Sequence, residues 1–181
     1  PPSWPVPTKG VSEIRLQLRY RSNESLTRFI KETSSLYLEI VDYPGEWLLD
    51  LPMLEQDYFE WSEQMNKVNR QRTSPEQHWQ LLLKKCDPFA PADETLLADI
   101  ASAYTDYLLS CKEEGLHFIQ PGRFVLPGEL AGAPVLQFFP WADLQQYDIA
   151  KLKNADKRTN IGMLKQRYEY YGQHVVKGFY R

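Results

Sequence analysis

The chain has 181 residues, 43% of them hydrophobic and 25% charged, and a formal net charge of −3. That composition suits a soluble globular protein with a substantial core. Acidic and basic residues are interspersed, so no basic stripe offers itself to a phosphate backbone, which points away from nucleic acid. No run of about 18 apolar residues could span a bilayer, and no charged-then-apolar leader opens the chain.

Pro1 to Ser12 is rich in proline, each ring removing a backbone donor, and reads as loop. Ile14, Leu16, Leu18 and Tyr20 then alternate with Glu13, Arg15, Gln17 and Arg19, the period-two pattern of a strand with one buried face. A polar connection follows over 21–35. A second strand, Leu36 to Val41, ends in consecutive apolar residues, as for a sheet covered on both faces. The two are expected to pair as an antiparallel hairpin with a long turn.

After Gly45 the pattern becomes helical. A helix is predicted from about Leu54 to Val68, with Tyr58, Trp61, Met65 and Val68 on one stripe. Ser74-Pro75-Glu76-Gln77 reads as a helix start, with Trp79, Leu82, Leu83 and Cys86 on the buried side. Asp93 to Glu114 carries the longest stripe, Leu97, Ala101, Tyr104, Leu108 and Cys111, and Gly115 is a natural terminator. Residues 116–140 hold Gly122, Gly128, Gly132 and several prolines, predicting loops with one strand candidate at Val135 to Phe139. A last helical region, about Asn160 to Tyr180, presents Ile161, Leu164, Tyr168, Tyr171 and Val175, weakened by its glycines.

Chemistry centres on Asp42-Tyr43-Pro44-Gly45. A carboxylate ending a buried strand can hold magnesium through a bound water, and a glycine three residues on can bring its N–H against a terminal phosphate. The same residues suit a strand-to-helix turn closed by Pro-Gly. Pro7-Thr8-Lys9-Gly10 precedes the first strand; Thr8 could offer its hydroxyl to magnesium and its N–H to phosphate, and could equally be part of a plain loop. Taken together and in order, Thr-x-Gly, strand, hairpin, apolar strand and Asp-x-x-Gly match switch one and switch two of Ras-like and alpha-subunit GTPases.

Three longer runs carry a more specific resemblance. Leu38 to Pro52, Gly115 to Gly128 and Val175 to Tyr180 resemble the bacterial YcjX-like family, and the similarity covers essentially the whole chain. It implies an α/β fold: part of a P-loop NTPase, G-domain-like core whose β-hairpin carries the switches, with a mainly α-helical inserted lobe. Residues 1–52 would be the switch and hairpin part, and 53–181 the lobe, with its Gly/Pro-rich loops at 116–140. The resemblance further implies a GTP-binding protein of the bacterial stress response, cytoplasmic or peripheral to the inner membrane, binding GTP or GDP with Mg2+.

Carried over by residue, Thr8 would ligate magnesium and phosphate, Asp42 would anchor the magnesium shell, and Gly45 N–H would contact the terminal phosphate. Glu46 stands where small GTPases carry a water-orienting Gln, making it the catalytic candidate, although its charge sits poorly beside phosphate. Pro5 occupies the place of the alpha-subunit arginine, so no arginine finger in cis is assigned. G-x-x-x-x-G-K-[ST] and Asn/Thr-Lys-x-Asp are both missing, and are expected before Pro1 and after Arg181 in a longer protein. Slow GTP hydrolysis is the leading expectation. The alternative is a non-catalytic interaction module whose helical lobe binds a protein partner.

Trp47, Trp61, Trp79 and Trp141 are read as packing residues, and Cys86 and Cys111 as buried thiols. The basic residues between Lys151 and Arg167 are read as a solvated helix face, with contact to anionic lipid or a partner as the sharper reading. His78, His117 and His174 lie too far apart for a zinc site.

Overall fold

Ser12 pairs with Asp42 and Tyr20 with Ser34, so strands β1 (Ser12–Tyr20) and β2 (Ser34–Asp42) form the expected antiparallel hairpin. The computed structural model describes residues 10–20, 34–72 and 77–179. By its contacts the chain divides into two compact units, Pro1–Gly45 and Glu46–Arg181.

In the first unit, alternation puts Ile14, Leu16 and Leu18 opposite Ile40, Leu38 and Leu36 on one face. These side chains remain 41–58% exposed. The face predicted to be buried is thus apolar as expected but exposed, with no cover among the described residues. A lone two-stranded ribbon is marginal in water, so this face needs a further partner. The opposite face is polar: Gln17 Nε2 donates to Tyr37 Oη at 3.1 Å, and the Arg15 guanidinium lies 5.6 Å from the Tyr37 ring centre.

The second unit opens within the short helix α1 (Gly45–Leu48), followed by a 3-10 turn, Leu51–Glu55, started by Pro52. Helix α2 (Tyr58–Gln71) begins later than predicted because Asp57 caps it. Asp57 accepts from the Phe59 and Glu60 amides, and Glu60 reaches back to the Asp57 N–H. Helix α3 (His78–Leu83) follows; its predicted start at Ser74-Pro75 lies outside the described residues. Helix α4 (Glu94–Glu113) buries every residue of its predicted stripe, and Gly115 ends it at φ +77°. Helix α5 (Gly122–Val125) lies in a stretch where no helix was predicted, and α6 (Ile149–Lys153) opens the stretch whose basic residues were read as a helix face. Helix α7 (Asn160–Tyr170) runs on through a π-helical turn, Tyr171–Val176, into a final 3-10 turn.

The strand predicted at Val135 to Phe139 does not form. Pro134–Leu136 is a 3-10 turn, and the next residues take their partners from α2. Tyr58 donates to the Phe139 carbonyl at 2.8 Å, Asn66 donates to the Trp141 carbonyl at 2.7 Å, and the Trp141 N–H donates to Ser62 Oγ. Side chains replace a neighbouring strand in satisfying that backbone. Around them Trp61, Phe138, Phe124, Tyr168 and Tyr171 pack largely edge to face or tilted, which favours aromatic rings over parallel sandwiches.

Trp47, Trp61, Trp79 and Trp141 are all buried, and Cys86 and Cys111 are buried free thiols, as read from the sequence. The basic stretch is not uniformly solvated: Lys153 pairs with Asp57, and half-buried Arg167 donates to the Gln137 carbonyl. Among the described residues no helix is long and apolar enough to cross a membrane.

Candidate functional site

The site grows from the last residue of β2. Register places Asp42 opposite Ser12, so the segment leaving Gly10 and the Asp42–Gly45 turn occupy the same end of the hairpin. The structure therefore brings the ends of the two predicted switch segments together. Asp42 is exposed there. Thr8, the other predicted magnesium ligand, lies outside the described residues. Gly45 has no neighbour within 4 Å of a side-chain position among the described residues, which leaves its backbone open to approach.

Magnesium takes oxygen ligands, keeps several waters and is usually bound by one or two protein groups plus phosphates. An exposed carboxylate at a strand end, beside a second chain segment, fits that demand; Asp42 is the described residue that would hold the ion.

Beyond Gly45 the character of the chain reverses. Glu46 Oε1 accepts from Lys112 Nζ of α4 at 2.7 Å. Partial burial pushes the Glu46 carboxyl up, but the Lys112 hydrogen bond, its own backbone N–H and the Lys112 charge together hold it below the ordinary glutamate value. Trp47 is buried; its indole N–H donates to the Leu126 carbonyl at 2.9 Å, and the Arg123 guanidinium carbon sits 3.3 Å from its ring centre. A guanidinium so close to an indole face is held by cation–π attraction and stacking.

Asp50 is 1% exposed. Its carboxylate accepts from the Gly122 amide at 2.8 Å, the Arg123 amide at 3.4 Å and the Tyr171 hydroxyl at 2.5 Å. Burial raises the Asp50 carboxyl to about 7, against the lowering influence of the Tyr171 hydroxyl, the Gly122 and Arg123 amides and the Arg123 charge. Gln120 completes the seam, accepting from Trp61 Nε1 at 3.1 Å and donating to the Leu49 carbonyl at 2.6 Å. Gly122 is required by close approach, because a Cβ there would lie 1.8 Å from the Glu46 carbonyl oxygen.

Asp42, Gly45 and Glu46, which the sequence singled out, thus follow one another along the chain from the end of β2 into α1. Lys112, Arg123, Tyr171 and Asp50 were missed. A signal existed for Asp50, Gly122 and Arg123, which stand in the family-like runs Leu38 to Pro52 and Gly115 to Gly128, and for Tyr171, which stands on the predicted stripe of the last helical region; for Lys112 there was none.

Comparison with known proteins agrees with those runs. The profile of the YcjX-like family, DUF463, matches residues 1–181. The chain is 64% identical over 182 residues to a protein of Escherichia coli (strain K12) named "Ras-like GTPase YcjX", and 41% identical over 184 residues to one of the same name from Shewanella oneidensis (strain MR-1). All of this chain is aligned in both cases, but it spans only 39% and 38% of those relatives' lengths. The chain belongs to the YcjX-like family.

Proposed function

We propose that this chain supplies the switch segments and helical lobe of a P-loop GTPase, whose phosphate cradle and guanine-reading motif come from other parts of the protein. The observation that carries the reading is the hairpin register: pairing of Ser12 with Asp42 sets Gly10 and Asp42, described residues of the two candidate switch segments, near one end of the hairpin, as two switches converging on one phosphate require. The relatives' name, Ras-like GTPase, supports the same reading.

In this account Thr8 and Asp42 would hold magnesium, which when bound neutralises charge on the phosphate oxygens. The Gly45 N–H would donate to a terminal phosphate oxygen, so GTP and GDP differ in whether that donor is engaged. The uncovered apolar face of the hairpin would pack against the rest of the P-loop core, closing the sheet that two strands alone cannot stabilise. A bacterial stress role is proposed on family resemblance.

A second reading, a non-catalytic interaction module carrying nucleotide as a static ligand, is favoured by Glu46. Its carboxylate is engaged by Lys112, which draws the candidate water-orienting group toward the lobe. Single-turnover GTP hydrolysis by a full-length protein carrying this chain separates the two. Hydrolysis lost in Asp42→Asn and Thr8→Ala supports the GTPase; tight GTP binding with no turnover in the parent supports the module. Failure to bind nucleotide at all would sink the GTPase reading.

A further inference from the structure

Segments that respond to a ligand have few buried contacts and exposed backbone hydrogen bonds. Residues 46–50 have the opposite character. Trp47 and Asp50 are both buried, and the Glu46 carbonyl lies so close to Gly122 that no side chain fits between.

Arg123 joins these contacts. Its guanidinium lies over Trp47 while its backbone N–H donates to Asp50, so one residue engages both ends of the turn that leaves Gly45. The side chain is 2% exposed, yet its acidic partner Glu129 is 71% exposed. A rim carboxylate contributes little to holding a buried cation in place. The better-buried contacts are with Trp47 and with the Pro127 carbonyl, which accepts from Nη1 at 3.1 Å. Gly128 closes the stack: a Cβ there would meet Nη1 at 3.1 Å and the indole at 3.6 Å.

We propose that Arg123 is a positioning residue for Gly45: by fixing Trp47 and Asp50 it confines the nucleotide-responsive part of switch two to residues 42–45. Residues 46–50 keep their lobe contacts in both nucleotide states. The inference rests on the GTPase reading, and it limits the moving part of switch two to the turn before Glu46.

The test uses the full-length protein with fluorescent GDP and a non-hydrolysable GTP analogue. GDP lacks the phosphate that Gly45 would contact, so Arg123→Met should lower analogue affinity at least fivefold and leave GDP affinity within twofold. Trp47→Phe keeps a ring over the guanidinium but loses the bond to Leu126, and should give a smaller loss in the same sense. In the unmodified protein the amides of 46–50 should exchange hydrogen equally slowly in both states. Equal losses for both nucleotides in both variants, or exchange at 46–50 differing more than tenfold between states, would overturn the inference alone. An unmodified protein that binds neither nucleotide would overturn the GTPase reading, and the inference with it.

Discussion

The Tyr171 hydroxyl donates to Asp50 Oδ2 at 2.5 Å, tying the turn after Gly45 to the last helical run of the lobe. Burial places the Asp50 carboxyl at about 7 instead of 3.8. A folded-state value above the unfolded one means that the native state holds its proton longer. The stability this confers is complete below the unfolded value and is lost as pH rises through about 7. The loss is on the order of 4 kcal/mol. Urea unfolding should therefore show stability falling between about pH 4 and 7, and Asp50→Asn should remove that fall. Glu46, Asp57 and Glu129 are all held below their ordinary values. Their contributions are lost only on acidification, outside the window. An unchanged slope in Asp50→Asn would contradict the role given to Asp50.

Gly122→Ala should be among the most damaging single-methyl additions in the lobe. The added carbon would lie 1.8 Å from a backbone oxygen of Glu46, which cannot swing aside as a side chain would. Overpacking typically costs about 1–3 kcal/mol, and with a backbone obstacle the upper end or more is expected. A loss below about 1 kcal/mol on unfolding would mean that the turn and α5 are not so closely apposed.

Asp57→Ala removes the side-chain half of the reciprocal cap on α2, keeping the backbone N–H that donates to Glu60, and it removes the partner of Lys153. The cap should account for about 1 kcal/mol. The exposed ion pair adds little. Asp57→Asn retains an acceptor and should recover most of the loss; equal destabilisation by both would assign the effect to the ion pair.

Glu46→Gln in the full-length protein should lower single-turnover GTP hydrolysis less than tenfold, because the carboxylate is already engaged by Lys112 at 2.7 Å. A general base acting on attacking water is worth about 10²–10⁴-fold. A loss in that range would restore Glu46 to the catalytic role suggested by its position after the switch glycine.

Periodicity made the local elements legible. The stripe from Leu97 to Cys111 is buried as predicted, whereas the alternation from Ile14 to Tyr20 names one apolar face that is exposed rather than buried. Contacts between distant segments were not legible. Val135 to Phe139 looks like a strand by composition, yet Tyr58 of α2 takes the Phe139 carbonyl while Ser62 and Asn66 take the backbone of Trp141, and no local pattern announces that. No local pattern marks Arg123, a charged residue in a Gly/Pro-rich run, as the buried partner of Trp47. The switch turn was visible because its chemistry is compressed into Asp42–Gly45. The apparatus holding residues 46–50 is dispersed over α4, α5 and the chain beyond α7.

Gly45→Ala in the full-length protein tests the switch most directly, through the ratio of GTP-analogue to GDP affinity. Gly45 opens α1, where alanine is a better helix former, and no described atom lies within 4 Å of the added carbon. Folding should therefore be unaffected, while in the proposed reading the added methyl group would crowd a terminal phosphate approaching the Gly45 N–H. Analogue affinity falling tenfold or more with GDP affinity unchanged is the predicted result. An unaltered ratio would contradict the claim that Gly45 reads the terminal phosphate.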